Sequence, residues 1–189
     1  MASSDSELPY TTPGLSGAQA ERTITLLQSR LHAMNDLHLT LKHVHWNVVG
    51  PHFIAVHEMI DPQVDTVRGF ADDLAERIAT LGGSPKGTPG SIVAERDWDD
   101  YSLGRATTQA HLGALDLVYR GVIETFREVI AELDDLDLVT QDMVIGQTEQ
   151  LELFHWFVRA HLESSSGALS TNGVSTERTA ARRADAAAN

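Results

Sequence analysis

Cysteine is absent from the 189-residue chain. Without thiols there are no disulfides, no thiolate metal ligands and no iron–sulfur clusters, and the absence fits a cytoplasmic protein. Lysine is scarce: Lys42 and Lys86 stand alone, so most of the 14 basic residues are arginines. The six prolines fall mostly near element boundaries, which leaves room for long uninterrupted helices. No apolar run approaches the ~18 residues needed to span a membrane. The start, Met1 to Pro13, is polar and acidic with no apolar h-region, so no secretory signal is expected. Clustered positive charge is missing too. Formal net charge is −13, which disfavours nucleic acid as a default partner, because phosphate binding needs grouped Lys and Arg. The balance suits cation handling, although acidity also serves solubility alone.

What is present is helical periodicity. Ile24, Leu27, Leu31, Met34, His38, Leu41 and His45 recur at steps of three and four, predicting a first helix over about 17–47. Ser16 and Gln19 have the spacing of a capping box, with Leu15 and Ala20 placed as a hydrophobic staple, and Gly50-Pro51 ends the helix. A second helix is expected over about 54–81, closed by Gly82-Gly83. A long connection, 82–102, carries one short apolar stretch at 92–94, enough for a short helix. Leu112, Leu115, Tyr119, Val122, Phe126, Val129 and Leu133 predict a third helix over about 103–133. The fourth is expected at 138–166. The fold class is therefore all-α, a four-helix bundle whose long middle connection implies a crossover. The expected organisation is an N-terminal tail over 1–16, the bundle over 17–167 and a mobile, Ala-, Ser-, Thr- and Arg-rich tail over 168–189.

Nine histidines is a high count, and five fall between His38 and His57. His45 continues the apolar stripe of the first helix. His57 with Asp61, and Asp72 with Glu76, are i,i+4 pairs that share a helix face. Each feature has a plain structural reading. His45 could be an interior histidine, Asp72 could pair with Arg68, and Asp61-Pro62 reads as an N-cap with proline at N1, which would leave His57 in a loop. Together they say more. At ~100° per residue His57, Asp61, Asp72 and Glu76 span ~100° of one face, yet Asp61 and Asp72 lie ~16 Å apart along the axis. Metal–ligand bonds are only ~2 Å, so one chain cannot bring all four to one ion. Two antiparallel copies crossing near Thr66 and Val67 can, and two-fold symmetry then makes two equivalent sites, each completed by His45. Imidazoles with carboxylates suit divalent iron and also zinc, manganese or cobalt. An intra-bundle di-iron site would need Glu-x-x-His on two helices plus a Glu from each of the others. Glu152-Leu153-Phe154-His155 is the lone match and is read as surface decoration.

Lys42-His43-Val44-His45-Trp46-Asn47-Val48-Val49-Gly50, then Phe53, then Ala55-Val56-His57-Glu58-Met59-Ile60-Asp61, resembles the signature of the Dps family. Asp72-Asp73-Leu74-Ala75-Glu76-Arg77 and Trp156-Phe157-Val158-Arg159-Ala160-His161-Leu162-Glu163 match it as well. The similarity covers about 20–167 and is nearest the actinobacterial branch. It implies a ferritin-like bundle with a short helix in the crossover, assembled as a hollow homododecamer. It implies a ferroxidase site between two-fold-related chains, with His45, His57 and Asp61 from one and Asp72 and Glu76 from the other. Trp46 would be the aromatic that absorbs oxidising equivalents. The implied reaction oxidises Fe(II), preferably with hydrogen peroxide, and stores ferric mineral, protecting DNA from oxidative damage. A helix continuous through Pro62, with a local kink, is also implied.

The resemblance brings DNA as a further partner, but residues 1–21 contain no Lys or Arg, and in 168–189 Arg178, Arg182 and Arg183 face Glu177 and Asp185. Two alternative readings are a nucleoid-compacting protein that keeps the fold, and a zinc- or manganese-buffering shell. Asp134, Asp135, Asp137 and Asp142 cluster at the last interhelical turn. They are candidate linings of an acidic three-fold pore, against the simpler reading of Asp137 as a helix cap.

Overall fold

The computed structural model describes residues 8–188; the first seven residues of the expected N-terminal tail lie outside them. Helix α1 runs Gly17–Asn47 and opens on the expected capping box. Ser16 Oγ accepts from the Gln19 N–H at 3.3 Å, and Gln19 Oε1 accepts from the Ser16 N–H at 3.1 Å. A two-residue strand β1 follows at Val48–Val49, then α2 at Phe53–Thr80. The connection holds α3, Pro89–Glu95, and strand β2, Ala106–Thr107, before α4, Thr108–Leu133, and α5, Leu138–Ala160. A last helix, α6, covers Glu177–Ala188.

The four long helices bury the stripes that define them. Leu27, Met34, Leu41, Ile60, Leu74, Leu112, Tyr119 and Phe126 are all fully buried in one core. Strands β1 and β2 pair in parallel, Val48 with Ala106 and Val49 with Thr107. This pairing holds the end of α1 beside the start of α4. Because α2 carries the chain ~40 Å away, the 81–107 connection must climb back along the bundle, which is the crossover. The pairing also explains why α4 starts five residues later than periodicity predicts: 106–107 is committed to β2, and the Thr107 side chain caps α4 by accepting from Ala110 N–H at 3.1 Å.

Pro62 sits inside α2, which is continuous through it. The continuous helix that the resemblance implies is found, and the alternative of a helix start at Asp61-Pro62 falls away. Pro62 projects from the exposed side of α2, where the lost backbone bond can be replaced by water.

Three expectations are corrected. Within the expected mobile tail over 168–189, the described residues 168–188 are docked: Thr171 is buried, and α6 packs along α4 with Ala180, Ala181 and Ala184 buried. The contact is tight: a Cβ on Gly113 would lie 2.7 Å from the Ala180 carbonyl oxygen and 2.8 Å from the Ala184 Cβ. Helix α5 stops at Ala160, short of the expected 166. His155 is not surface decoration but buried. Its Nε2 donates to Asp116 Oδ1 at 2.7 Å, which also accepts from Arg159 Nε at 2.9 Å, while Thr171 Oγ1 donates to Asp116 Oδ2 at 2.7 Å. Glu152 does lie outside, paired with Arg127. No described helix is long and apolar enough to cross a membrane.

Candidate metal centre

The end of α1 lies against the start of α2, bringing His45 and His57 together. Their rings stack at 3.6 Å between centroids. Each ring is fixed by the other's backbone: His45 Nδ1 lies 3.0 Å from the His57 carbonyl oxygen, and His57 Nδ1 lies 3.0 Å from the His45 carbonyl oxygen. A carbonyl only accepts, so in both rings Nδ1 carries a proton, which leaves Nε2 as the nitrogen that can bind a metal when the ring is neutral. This is how metal-ligating histidines are oriented by their surroundings. Neither Nε2 makes a hydrogen bond among the described residues.

Asp61, one turn along α2 from His57, lies beside the pair. Its Oδ1 is 3.1 Å from His45 Nδ1 and 2.7 Å from Lys42 Nζ. The Lys42 hydrogen bond, aided by the charges around it, holds the Asp61 carboxyl below its ordinary value, so it is a ready anionic ligand. Lys42 joins the site although sequence reasoning assigns it no role. Its signal is its spacing: it precedes His45 by three on α1, hence shares its face.

Trp46 is 70% exposed rather than buried as a packing aromatic would be, and Phe53, whose ring lies 4.9 Å from that of His57, and its neighbour Ile54 are also exposed. An apolar rim thus flanks the half-site. Asp72 and Glu76 lie exposed farther down the same face of α2, and they do not approach His57. Among the described residues no three His, Asp or Glu side chains of one chain, His45, His57 and Asp61 included, converge as a metal ion needs. Gly69 lies near the expected crossing point, and a Cβ there would meet nothing within 4 Å, so a second helix has room to approach.

The four turn carboxylates separate by environment. Asp137 is buried. Its Oδ1 caps α5 by accepting from Val139 N–H at 3.3 Å, and its Oδ2 pairs with Arg77 Nη2 at 2.6 Å and accepts from Thr140. Burial raises its pKa, but the Thr140 and Arg77 hydrogen bonds outweigh that and hold it below the ordinary value. Asp137 is therefore a structural cap and not a pore lining: its charge is neutralised inside the chain. Asp134, Asp135 and Asp142 remain exposed, beside the exposed Leu138 and Val139.

Comparison with known proteins gives a consistent result. The family model of the ferritin-like domain matches residues 24–166. A "DNA protection during starvation protein" of Mycolicibacterium smegmatis is 65% identical over 175 residues, covering 93% of this chain and 96% of the relative. Among solved structures, the Dps of Mycobacterium smegmatis superposes with a TM-score of 0.87 at 63% identity, covering 93% of this chain and 97% of that one. DpsA14 of Streptomyces coelicolor gives 0.85 at 66% identity, covering 86% and 96%.

Proposed function

The chain belongs to the Dps family of ferritin-like proteins, and from that membership we propose that it oxidises ferrous iron and stores the ferric product in a closed homo-oligomeric shell, a dodecamer. The observation that carries the reading is the stacked His45–His57 pair, whose Nδ1 atoms are tied to backbone carbonyls beside Asp61. Iron is the substrate here. Two neutral imidazoles favour the ferrous ion, and the carboxylates of Asp61, Asp72 and Glu76 favour the ferric charge that replaces it. Hydrogen peroxide is the oxidant of choice. It takes one electron from each of two ferrous ions, and with two waters the products are ferric oxyhydroxide and four protons. Both reagents that generate hydroxyl radical are thereby removed. Trp46, exposed next to His45, is placed to give up an electron when a single ferrous ion meets peroxide.

The site is shared. His45, His57 and Asp61 of one chain meet Asp72 and Glu76 of a second across a two-fold axis, since 11 residues of helix separate the two acidic pairs by ~16 Å. The exposed Trp46, Phe53 and Ile54 then become interface. Mixing subunits tests this. Asp61→Ala and Glu76→Ala shells should each oxidise iron slowly. Dissociated, mixed and reassembled, they should regain activity, because a mixed dimer holds one site with both halves intact and one with both lesions. Mixed assemblies, verified by mass, that stay no faster than either parent would refute sharing.

Iron entry is assigned to the exposed carboxylates Asp134, Asp135 and Asp142, which a three-fold axis would gather into a negative funnel that concentrates cations. Asp142→Asn should slow iron uptake several-fold at low ionic strength, and the difference should shrink as salt rises. Equal uptake rates at low salt in intact shells would remove Asp142 from this role. Protection of DNA follows chemically in the cytoplasm. A nucleoid-compacting role has less support, because the arginine-bearing C-terminal segment is docked as α6 and its Arg183 donates to the Asn172 carbonyl at 3.0 Å. A gel shift at low and moderate salt, run beside the oxidation assay, separates the two.

A further inference from the structure

A second concave site lies well away from the candidate metal centre. Helices α1 and α4, the 97–102 stretch of the crossover and the first turn of α6 enclose a cavity of about 650 Å³, within the range of small-molecule sites. Its walls are largely apolar, with Leu37, Val118, Val122 and Trp98 among them. Arg30 also lines it, and only 7% of Arg30 is exposed. Burying a guanidinium in such a wall is costly unless an anion compensates. Here none does so at contact distance. Arg30 Nη1 donates to Thr125 Oγ1, Nε donates to Ser29 Oγ at 3.3 Å, and the group rests 5.4 Å above the Phe126 ring. These partners are all neutral, and Nη2 has no hydrogen-bond partner among the described residues. Burial accordingly pulls the Arg30 pKa down, with Asp97 and Glu128 countering only as more distant charges.

We propose that this cavity binds an amphipathic monoanion, a carboxylate on an apolar chain, with the carboxylate on Arg30 and the chain along Leu37, Val118 and Val122. Each part of the lining narrows the ligand. The apolar walls exclude a small hydrated anion. Asp97 and Asp99 at the exposed rim repel a dianion such as a phosphate ester, leaving one negative charge as the best match to one buried arginine. The other acids are already engaged: Asp100 pairs with Arg96, and Glu177 accepts from the Ser102 N–H at 2.7 Å. Arg178, at the start of α6, offsets one of the two rim aspartates and leaves the rim net negative.

Calorimetry on the full-length assembled protein tests the site with three probes of equal chain length: octanoate, 1-octanol and octylammonium. Octanoate should bind saturably, one per chain, at least about tenfold tighter than octanol, the return expected of one charge-assisted hydrogen-bonding pair. Octylammonium should bind more weakly still. Arg30→Met, which keeps the side-chain length, should bring octanoate down to the octanol level. Gly121→Leu gives an independent check that is safe for folding: Gly121 lines the cavity, a Cβ there meets nothing within 4 Å, and leucine is a better helix former than glycine. It should weaken octanoate and octanol alike by filling the space. Octanoate no tighter than octanol, octylammonium binding best, or octanoate affinity untouched by Gly121→Leu would each overturn the proposal. Should Arg30→Met fail to assemble, the probe series on the unmodified protein and the Gly121→Leu result decide it.

Discussion

Replacing His57 and Asp61 together by alanine is expected to slow ferrous oxidation by peroxide by at least about a hundredfold while leaving the helical content and the shell unchanged. The size follows from the chemistry. Removing groups that merely orient a metal ligand costs about ten- to a hundredfold, and on the proposed assignment two ligands of one half-site are lost directly. The proposed two-fold symmetry would repeat the loss at every site. Folding should be spared because the pair lies on the open side of α2: the Asp61 side chain is 49% exposed and its ion pair with Lys42 is a surface contact, worth ~0–1 kcal/mol. His45 is a poorer choice for this test, since it is buried and its loss would open the core. Stopped-flow oxidation beside circular dichroism and mass measurement checks the outcome. Wild-type rates in the double variant would end the assignment of the site.

Asp116→Ala is expected to destabilise the fold strongly, by about 3–5 kcal/mol, the usual cost of taking one partner from a buried charge network. Asp116 is 1% exposed and joins three parts of the chain: its own helix α4, His155 and Arg159 on α5, and Thr171 in the segment leading to α6. Alanine leaves the His155 and Arg159 donors facing a cavity. Burial pushes the Asp116 carboxyl up, but hydrogen bonds from His155, Thr171 and Arg159 win and hold it far below the ordinary range. A depressed folded pKa fixes the sign. The contribution is complete above the unfolded carboxylate value near 4 and fades as pH falls from there towards the lower folded value. Denaturant melts should therefore show the gap between wild type and Asp116→Ala wide at neutral pH and narrowing in acid. Thr171→Val should cost less, ~1 kcal/mol for one neutral donor, while loosening α6, seen as faster amide exchange there. Equal midpoints for wild type and Asp116→Ala at neutral pH would show that the network carries no net stability.

By itself the sequence determined the four long helices, because steps of three and four along Leu27, Leu31, Met34 and Leu41, or along Leu112, Leu115, Tyr119 and Phe126, encode burial on one helical face. It determined the start of α1, since a capping box acts over three residues. It also determined that the candidate ligands form two separate pairs on α2, since helix rise is fixed. These are local quantities, set by neighbours within one or two turns. Only the tertiary structure decided the rest. Pro62 and Asp61 carry a legitimate helix-start signal, overridden because the buried face of α2, from Val56 and Ile60 through Val67, packs continuously past it. The Ala-rich end reads as a mobile tail until Gly113, 67 residues before Ala180, supplies the groove that Ala180 and Ala184 fill. Asp137 reads equally as cap or pore until Arg77 and Thr140 claim its second oxygen. His155 reads as surface until Asp116, itself held by Thr171, meets it. In each case the deciding partner is remote in sequence, and helical periodicity carries no record of which distant side chain will stand opposite.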